Sequence, residues 1–141
     1  MTNATNGFSL LEMLISLSLL SVLFALSLPQ FSKLKRDTAV SESTHRIKLL
    51  IEEAILVAQA TATKHVVQIT QQQVIISRYG AGSPESSISL PPGITLFSNS
   101  SSFQIASSGV VQPKRVLVVS DSQYCEIVIS LRGRVRTQCN L

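Results

Sequence analysis

The sequence GFSLLE at residues 7–12 begins an apolar segment that continues to Leu28. The segment from Phe8 to Leu28 is about 21 residues long, and a helix of that length spans the hydrocarbon layer of a bilayer. Its only charged residue is Glu12, one turn from the start. A carboxylate inside a membrane segment is costly, so such a residue is expected to have a function and a partner.

Two common kinds of apolar segment explain these residues less well. A secretory signal peptide has a basic start, an apolar core of about 7 to 15 residues and a small-residue cleavage site after it. The first 28 residues show none of these features. A plain membrane anchor needs only the apolar segment, and it explains neither Glu12 nor the position of Gly7.

Residues 7–12 resemble the processing site of type IV prepilins and type II secretion pseudopilins. The resemblance implies that a prepilin peptidase cuts between Gly7 and Phe8, that residues 1–7 are a leader peptide, and that the new amino group of Phe8 is methylated. It also implies assembly with other pilin or pseudopilin subunits, in which Glu12 neutralises the N-terminal ammonium of a neighbour. Pro29 falls where type IV pilins often have a helix-kinking proline.

Apolar residues beyond the proline recur along one face of a helix: Val40, Ile47, Ile51, Ala54 and Ala58. The sequence therefore predicts one long, bent helix that ends near Ala62. Its first part, residues 8–28, is assigned to the membrane or the filament core, and residues 29–62 continue it. The resemblance implies a single-pass protein of the inner membrane, which later enters a pilus or pseudopilus.

Residues 63–141 are predicted to form a small β-rich domain, which the resemblance places in the periplasm. Runs of β-branched residues at 66–70 and 74–79 predict a hairpin, and strands are also expected at 103–106 and 116–120. Residues 80–87 are predicted to be a turn-rich loop. The expected fold is α+β and pilin-like: a long N-terminal helix packed on a small antiparallel sheet.

The two cysteines of the chain, Cys125 and Cys139, lie in the last predicted hairpin. If residues 131–133 form a three-residue loop with Gly133 in the left-handed conformation, Ser130 faces Arg134. Cys125 then lies directly opposite Cys139. In an exported segment this pairing predicts a disulfide, and the alternative is two unpaired thiols.

The same register places Arg134 and Arg136 side by side and facing solvent, next to Arg132 at the turn. The GRVR sequence at residues 133–136, with LPPGI at 90–94, resembles the GspH/FimT branch of the pilin family. In FimT-like minor pilins, a Gly-Arg-x-Arg motif near the C terminus is associated with DNA binding during natural transformation.

The resemblance implies that this surface binds double-stranded DNA without reading its sequence, since arginine contacts phosphate bidentately. Lys114 and Arg115, expected on a preceding loop, are predicted to extend it, and the net charge of +4 agrees in sign. The alternative is a solvated strand face on which Arg136 pairs diagonally with Glu126. Aromatic residues are absent from the sequence around these basic residues, so base stacking is not expected.

The sequence contains no pattern typical of catalysis or cofactor binding. His45 and His65 are expected on the surface of the helix, and we find no glycine-rich phosphate loop or metal-ligand spacing. We expect a structural subunit with no metal, cofactor or small-molecule substrate. The predicted function is that of a FimT-like minor pilin that captures extracellular DNA. The alternatives are a type II secretion pseudopilin H that primes or caps a pseudopilus, and a purely structural minor pilin of pilus assembly.

Overall fold

The computed structural model describes residues 9–121 and 123–140, including their side chains except those of residues 26–37. The predicted cleavage site between Gly7 and Phe8 therefore lies outside the described residues, as does the side chain of Pro29. The chain forms two compact units, Met1–Lys35 and Arg36–Leu141.

The first unit contains the beginning of helix α1, Leu10–Thr61, which is 52 residues long. Glu12 lies in its first turn. The large apolar side chains from Leu10 to Phe24 are at least half exposed in the isolated chain. No helix within the described residues combines the length and the apolar character needed to cross a membrane.

The second unit contains the remainder of α1, and this part is amphipathic. The face predicted from the sequence is buried: Val40, Ile47, Ile51, Ala54 and Ala58. Complete burial of an isoleucine contributes about 1.5–3 kcal/mol of transfer free energy, so this face holds the helix on the domain. The opposite face carries mostly polar residues, with Leu49 and Leu56 also exposed. On this face Arg46 Nη2 lies 2.6 Å from Glu42 Oε1. The helix ends at Thr61, and Ala62 adopts a φ of +52°.

Eight strands follow: β1 His65–Ile69, β2 Gln73–Arg78, β3 Pro84–Ser89, β4 Thr95–Ser98, β5 Ser102–Ile105, β6 Lys114–Val119, β7 Tyr124–Ile129 and β8 Val135–Asn140. They form two antiparallel four-stranded sheets, with the orders β3-β2-β1-β5 and β4-β6-β7-β8. One continuous hydrophobic cluster includes residues of α1 and of both sheets. The predicted α+β fold is confirmed, with two antiparallel sheets where one was expected.

Two details of the predicted domain are wrong. Residues 84–87 were expected in a turn-rich loop, but they form the first part of strand β3. The sequence of β3, PESSIS, has little intrinsic β-propensity. It forms a strand because it pairs with β2, whose residues strongly favour β structure. Lys114 and Arg115 were also expected in a loop, but they are the first two residues of β6.

Candidate nucleic-acid interface

Strands β7 and β8 form the predicted hairpin, and its turn contains residues 131–133. The Ser130 N–H donates to the Arg134 carbonyl oxygen at 3.0 Å, and the Gly133 N–H donates to the Ser130 carbonyl oxygen at 2.9 Å. Gly133 has a φ of +75°, a left-handed conformation that glycine adopts without steric cost. Cys125 pairs with Cys139 across the hairpin. The loop and the register therefore match the prediction.

A disulfide joins Cys125 to Cys139, as predicted, with an S–S distance of 1.98 Å. The two residues are 14 positions apart in the sequence. In the chain-entropy account, closing a loop of this length contributes about 3 kcal/mol to stability. Because β8 is an edge strand of its sheet, the bond holds the C-terminal strand against β7.

The turn of the hairpin packs against helix α1. A Cβ atom on Gly133 would lie 2.9 Å from the Gly109 carbonyl oxygen and 3.3 Å from Ile55 Cγ2. The Val111 N–H donates to the Leu131 carbonyl oxygen at 3.1 Å. The turn therefore contacts both the helix and the loop before β6. These contacts fix the backbone from which Arg132 and Arg134 project.

Four arginines share this end of the second sheet. Arg132, Arg134 and Arg136 are exposed, and strand alternation places Arg134 and Arg136 on the outer face of the sheet. Val128 pairs with Arg136 on one side and with Arg115 on the other. Arg115 and Arg136 therefore lie on the same face, two strands and about 10 Å apart. We call Arg115, Arg132, Arg134 and Arg136 the basic strip.

Lys114 does not belong to the basic strip. It pairs with Ile129, whose side chain is buried. Because neighbouring residues of a strand point to opposite faces, Lys114 is directed away from the face that carries Arg115. The prediction that these two residues extend one basic surface is wrong for Lys114.

Glu126 is an acidic residue on the same outer face. Its Oε1 atom lies 2.7 Å from Arg115 Nε, but it accepts no well-directed hydrogen bond, so the contact is an ion pair. The Arg115 side chain is 70% exposed, and such a pair contributes about 0–1 kcal/mol to stability. Glu126 thus pairs with Arg115 rather than with Arg136, the partner considered from the sequence.

An exposed aromatic ring lies next to the basic strip. Phe97 on β4 pairs with Leu117 on β6, and Leu117 is two residues from Arg115 on the same face. Phe97 is 51% exposed. It lines a pocket of about 290 Å³ together with Arg115. The expectation that no aromatic residue accompanies the basic residues is wrong, because the pairing of β4 with β6 joins positions distant in the sequence.

A separate polar cluster lies on the first sheet. His65 was expected on the helix surface, but it begins β1 and is 1% exposed, whereas His45 is exposed on α1 as predicted. His65 Nε2 lies 2.9 Å from Glu85 Oε2, and Arg78 Nη2 lies 2.9 Å from Glu85 Oε1. The cluster links β1, β2 and β3. In the described part of the chain, no group of three or more His, Cys, Asp or Glu side chains is arranged to hold a metal ion.

The chain is similar to known proteins in its N-terminal motif and in its fold. Residues 2–28 match the family model of the prokaryotic N-terminal methylation motif. The fold is similar to that of the minor pseudopilin EpsH from the type 2 secretion system of Vibrio cholerae. The TM-score is 0.59 at 12% identity, over 70% of this chain and 95% of that chain.

The fold is equally similar to that of the type IV minor pilin FimU of Pseudomonas aeruginosa. Here the TM-score is 0.59 at 12% identity, over 72% of this chain and 87% of that chain. No curated protein matches the sequence significantly.

The chain thus combines the prokaryotic N-terminal methylation motif at residues 2–28 with a globular domain in which a helix packs on two antiparallel sheets. The fold of that domain is the kind found in the minor pseudopilin EpsH and the minor pilin FimU. The methylation motif expected from residues 7–12 is therefore confirmed.

Proposed function

We propose that this chain is a FimT-like minor pilin of a type IV pilus and binds extracellular double-stranded DNA for uptake in natural transformation. The basic strip is the observation that supports the proposal. Its three exposed hairpin arginines, with Arg115, lie on one end of one sheet. The only acidic residue paired with them in the described contacts is Glu126, so the strip has a positive excess.

The spacing of these arginines suits a phosphate backbone rather than base recognition. Arg134 and Arg136 are two residues apart along the hairpin, about 7 Å, and Arg115 is about 10 Å from Arg136. A guanidinium can bind phosphate through two parallel hydrogen bonds without reading sequence. Three such contacts give a slope of about −2.7 for log K against log salt, on the scale of non-specific binding.

The proposal includes processing and assembly at the N terminus, which the motif match over residues 2–28 supports. A prepilin peptidase removes the leader by cutting between Gly7 and Phe8, and the Phe8 amino group is methylated. Glu12 then neutralises the terminal ammonium of a neighbouring subunit inside the filament. Pro29 bends the helix at the end of the apolar segment.

The proposed topology follows from these steps. Residues 8–28 anchor the chain in the inner membrane before assembly and pack in the filament core afterwards. Residues 29–62 continue the helix, and residues 63–141 form the periplasmic domain. The partners are the prepilin peptidase, other pilin subunits and DNA.

The direct test measures binding of the full-length protein, in non-ionic detergent, to a duplex DNA by fluorescence anisotropy over about 50–200 mM salt. The double variant Arg134→Gln/Arg136→Gln is expected to lose most of its binding, with a salt slope smaller by about 1.8. The control variant, Arg46→Gln/Lys48→Gln, removes the same charge from two ion pairs on α1.

The control variant should retain the slope of the parent protein. If the Arg134→Gln/Arg136→Gln variant binds DNA as tightly as the parent, the basic strip is not a DNA site. The remaining function would then be that of a structural minor pilin of pilus assembly.

A second candidate function is that of a type II secretion pseudopilin H, which primes or caps a pseudopilus. The fold is as similar to that of EpsH as to that of FimU, and this supports the second candidate. A deletion strain separates the two candidates. Loss of transformation with normal protein export supports the DNA-uptake pilus, and the reverse result supports the secretion pseudopilus.

A further inference from the structure

The outer face of the second sheet carries an apolar pocket beside the basic strip. Five residues line it: Phe97, Ser98, Asn99, Arg115 and Leu117. Phe97 is 51% exposed although it is a large aromatic residue. Its pairing with Leu117 places the ring beside β6, the strand that also carries Arg115.

The size and composition of the pocket suit one planar aromatic group. Its volume of about 290 Å³ is just below the range for small-ligand sites, roughly 300–1,000 Å³. Phe97 and Leu117 provide an apolar surface on which a flat ring can stack, and Ser98 and Asn99 provide polar groups at the rim. The site is therefore too small for a folded partner but large enough for a base.

A cationic side chain at the edge of the pocket can bind a phosphate group. Arg115 lines the pocket and lies in one row with Val128 and Arg136. The contact with Glu126 uses the Nε atom of Arg115, and a guanidinium has five N–H donors. Arg115 can therefore hold a phosphate while it remains paired with Glu126.

We propose that this pocket holds one unpaired nucleobase of a DNA strand whose phosphates lie along Arg115, Arg136 and Arg134. The inference rests on the proposed function of the basic strip in DNA binding. The base stacks on the ring of Phe97, and Arg115 binds the phosphate of the same nucleotide. An intact duplex cannot fill the pocket because its bases are stacked and paired, so the site distinguishes single-stranded or frayed DNA from duplex DNA.

The test compares a single-stranded oligothymidylate of about 12 nucleotides with a duplex of the same length. Binding of the full-length protein in non-ionic detergent is measured by anisotropy. Phe97→Leu keeps an apolar side chain but removes the ring, and Phe97→Tyr keeps the ring. We expect Phe97→Leu to weaken single-strand binding about 5-fold or more, from the contribution of one stacked base, and duplex binding less than 2-fold. Phe97→Tyr should bind like the parent.

Tyr124→Ala is the matched control. Tyr124 is an aromatic residue on the same outer face and is 47% exposed, but it pairs with Val119 rather than with a residue of the pocket. Its removal should leave both affinities unchanged. Thermal unfolding of each variant shows whether the fold is retained.

The outcomes separate this inference from the function on which it rests. If Arg134→Gln/Arg136→Gln weakens binding to both DNAs but Phe97→Leu weakens neither, the basic strip binds DNA and the pocket inference is wrong. If neither variant weakens binding, both proposals fail. If Phe97→Leu leaves both affinities unchanged but prevents incorporation into filaments, the face contacts another subunit instead.

Discussion

Arg115 Nε lies 2.7 Å from Glu126 Oε1 on the outer face of the second sheet. This ion pair places a carboxylate beside the arginines that are proposed to bind phosphate. Glu126 therefore opposes the approach of DNA while it holds Arg115 on the strip.

Neutralising this carboxylate is expected to strengthen DNA binding. A unit charge about 5–10 Å from a phosphate in water contributes roughly 0.4–0.8 kcal/mol, so Glu126→Gln should bind duplex DNA about 2- to 4-fold more tightly at low salt. Anisotropy titrations measure the change. Glu42→Gln removes the same charge from an exposed pair on α1, and an equal gain in that control would attribute the effect to net charge alone.

The glycine at the hairpin turn is expected to be essential for stability. Gly133→Ala is expected to lower the free energy of unfolding by about 1–2 kcal/mol, because alanine is strained in the left-handed conformation. Overpacking against Gly109 and Ile55 should lower it by about 1–3 kcal/mol more. Gly80→Ala is the control, since its φ is +81° and no atom lies within 4 Å of an added Cβ. Gly80→Ala should therefore be destabilised only by the strain of the left-handed backbone.

Urea unfolding can be followed by tyrosine fluorescence, since the chain has two tyrosines and no tryptophan. Equal destabilisation of Gly133→Ala and Gly80→Ala would show that the packing of the turn on α1 does not contribute.

The disulfide is expected to contribute about 3 kcal/mol to stability, from the length of the loop that it closes. The variant Cys125→Ala/Cys139→Ala should therefore unfold at lower urea concentration than the parent. A reducing agent should destabilise the parent by a similar amount and leave the variant unchanged. Identical unfolding midpoints for the parent and the variant would contradict this prediction.

The polar cluster on the first sheet is expected to depend on Glu85 more than on Arg78. Glu85→Ala leaves the buried Nε2 atom of His65 without its partner, which costs about 1–3 kcal/mol. Arg78→Ala removes a half-exposed side chain from an ion pair with Glu85, and this costs about 1 kcal/mol or less. The same urea experiment compares the stability of the two variants. A larger loss of stability for Arg78→Ala than for Glu85→Ala would contradict this prediction.

Features that depend on residues close together in the sequence were predictable. The buried face of α1 follows from helical periodicity, and the last hairpin follows from one glycine that sets the loop and the register. Alternation along β1 would also have revealed the burial of His65, because His65, Val67 and Ile69 share one face and are buried. The expectation of a helix-surface histidine failed because the strand begins earlier than predicted.

Features that depend on the path of the chain between sheets were not predictable in this way. Strand β5 pairs in the first sheet, so β4 and β6 become neighbours although they are not consecutive. This pairing brings Phe97 beside Arg115, and no local pattern around either residue indicates the contact. Strand β3 was missed for a similar reason, since its serines become a strand only through pairing with β2.

The disulfide also determines how the hairpin carries mechanical load. Arg132, Arg134 and Arg136 all lie between Cys125 and Cys139, within a covalently closed ring. A force applied to a molecule held by these arginines cannot separate β8 from β7 at Cys139, because the disulfide keeps the ring closed. The load passes instead into β7, whose pairing with β6 joins it to the rest of the sheet. A load on the proposed DNA site is thus carried by an interior strand of the sheet as well as by the edge strand β8.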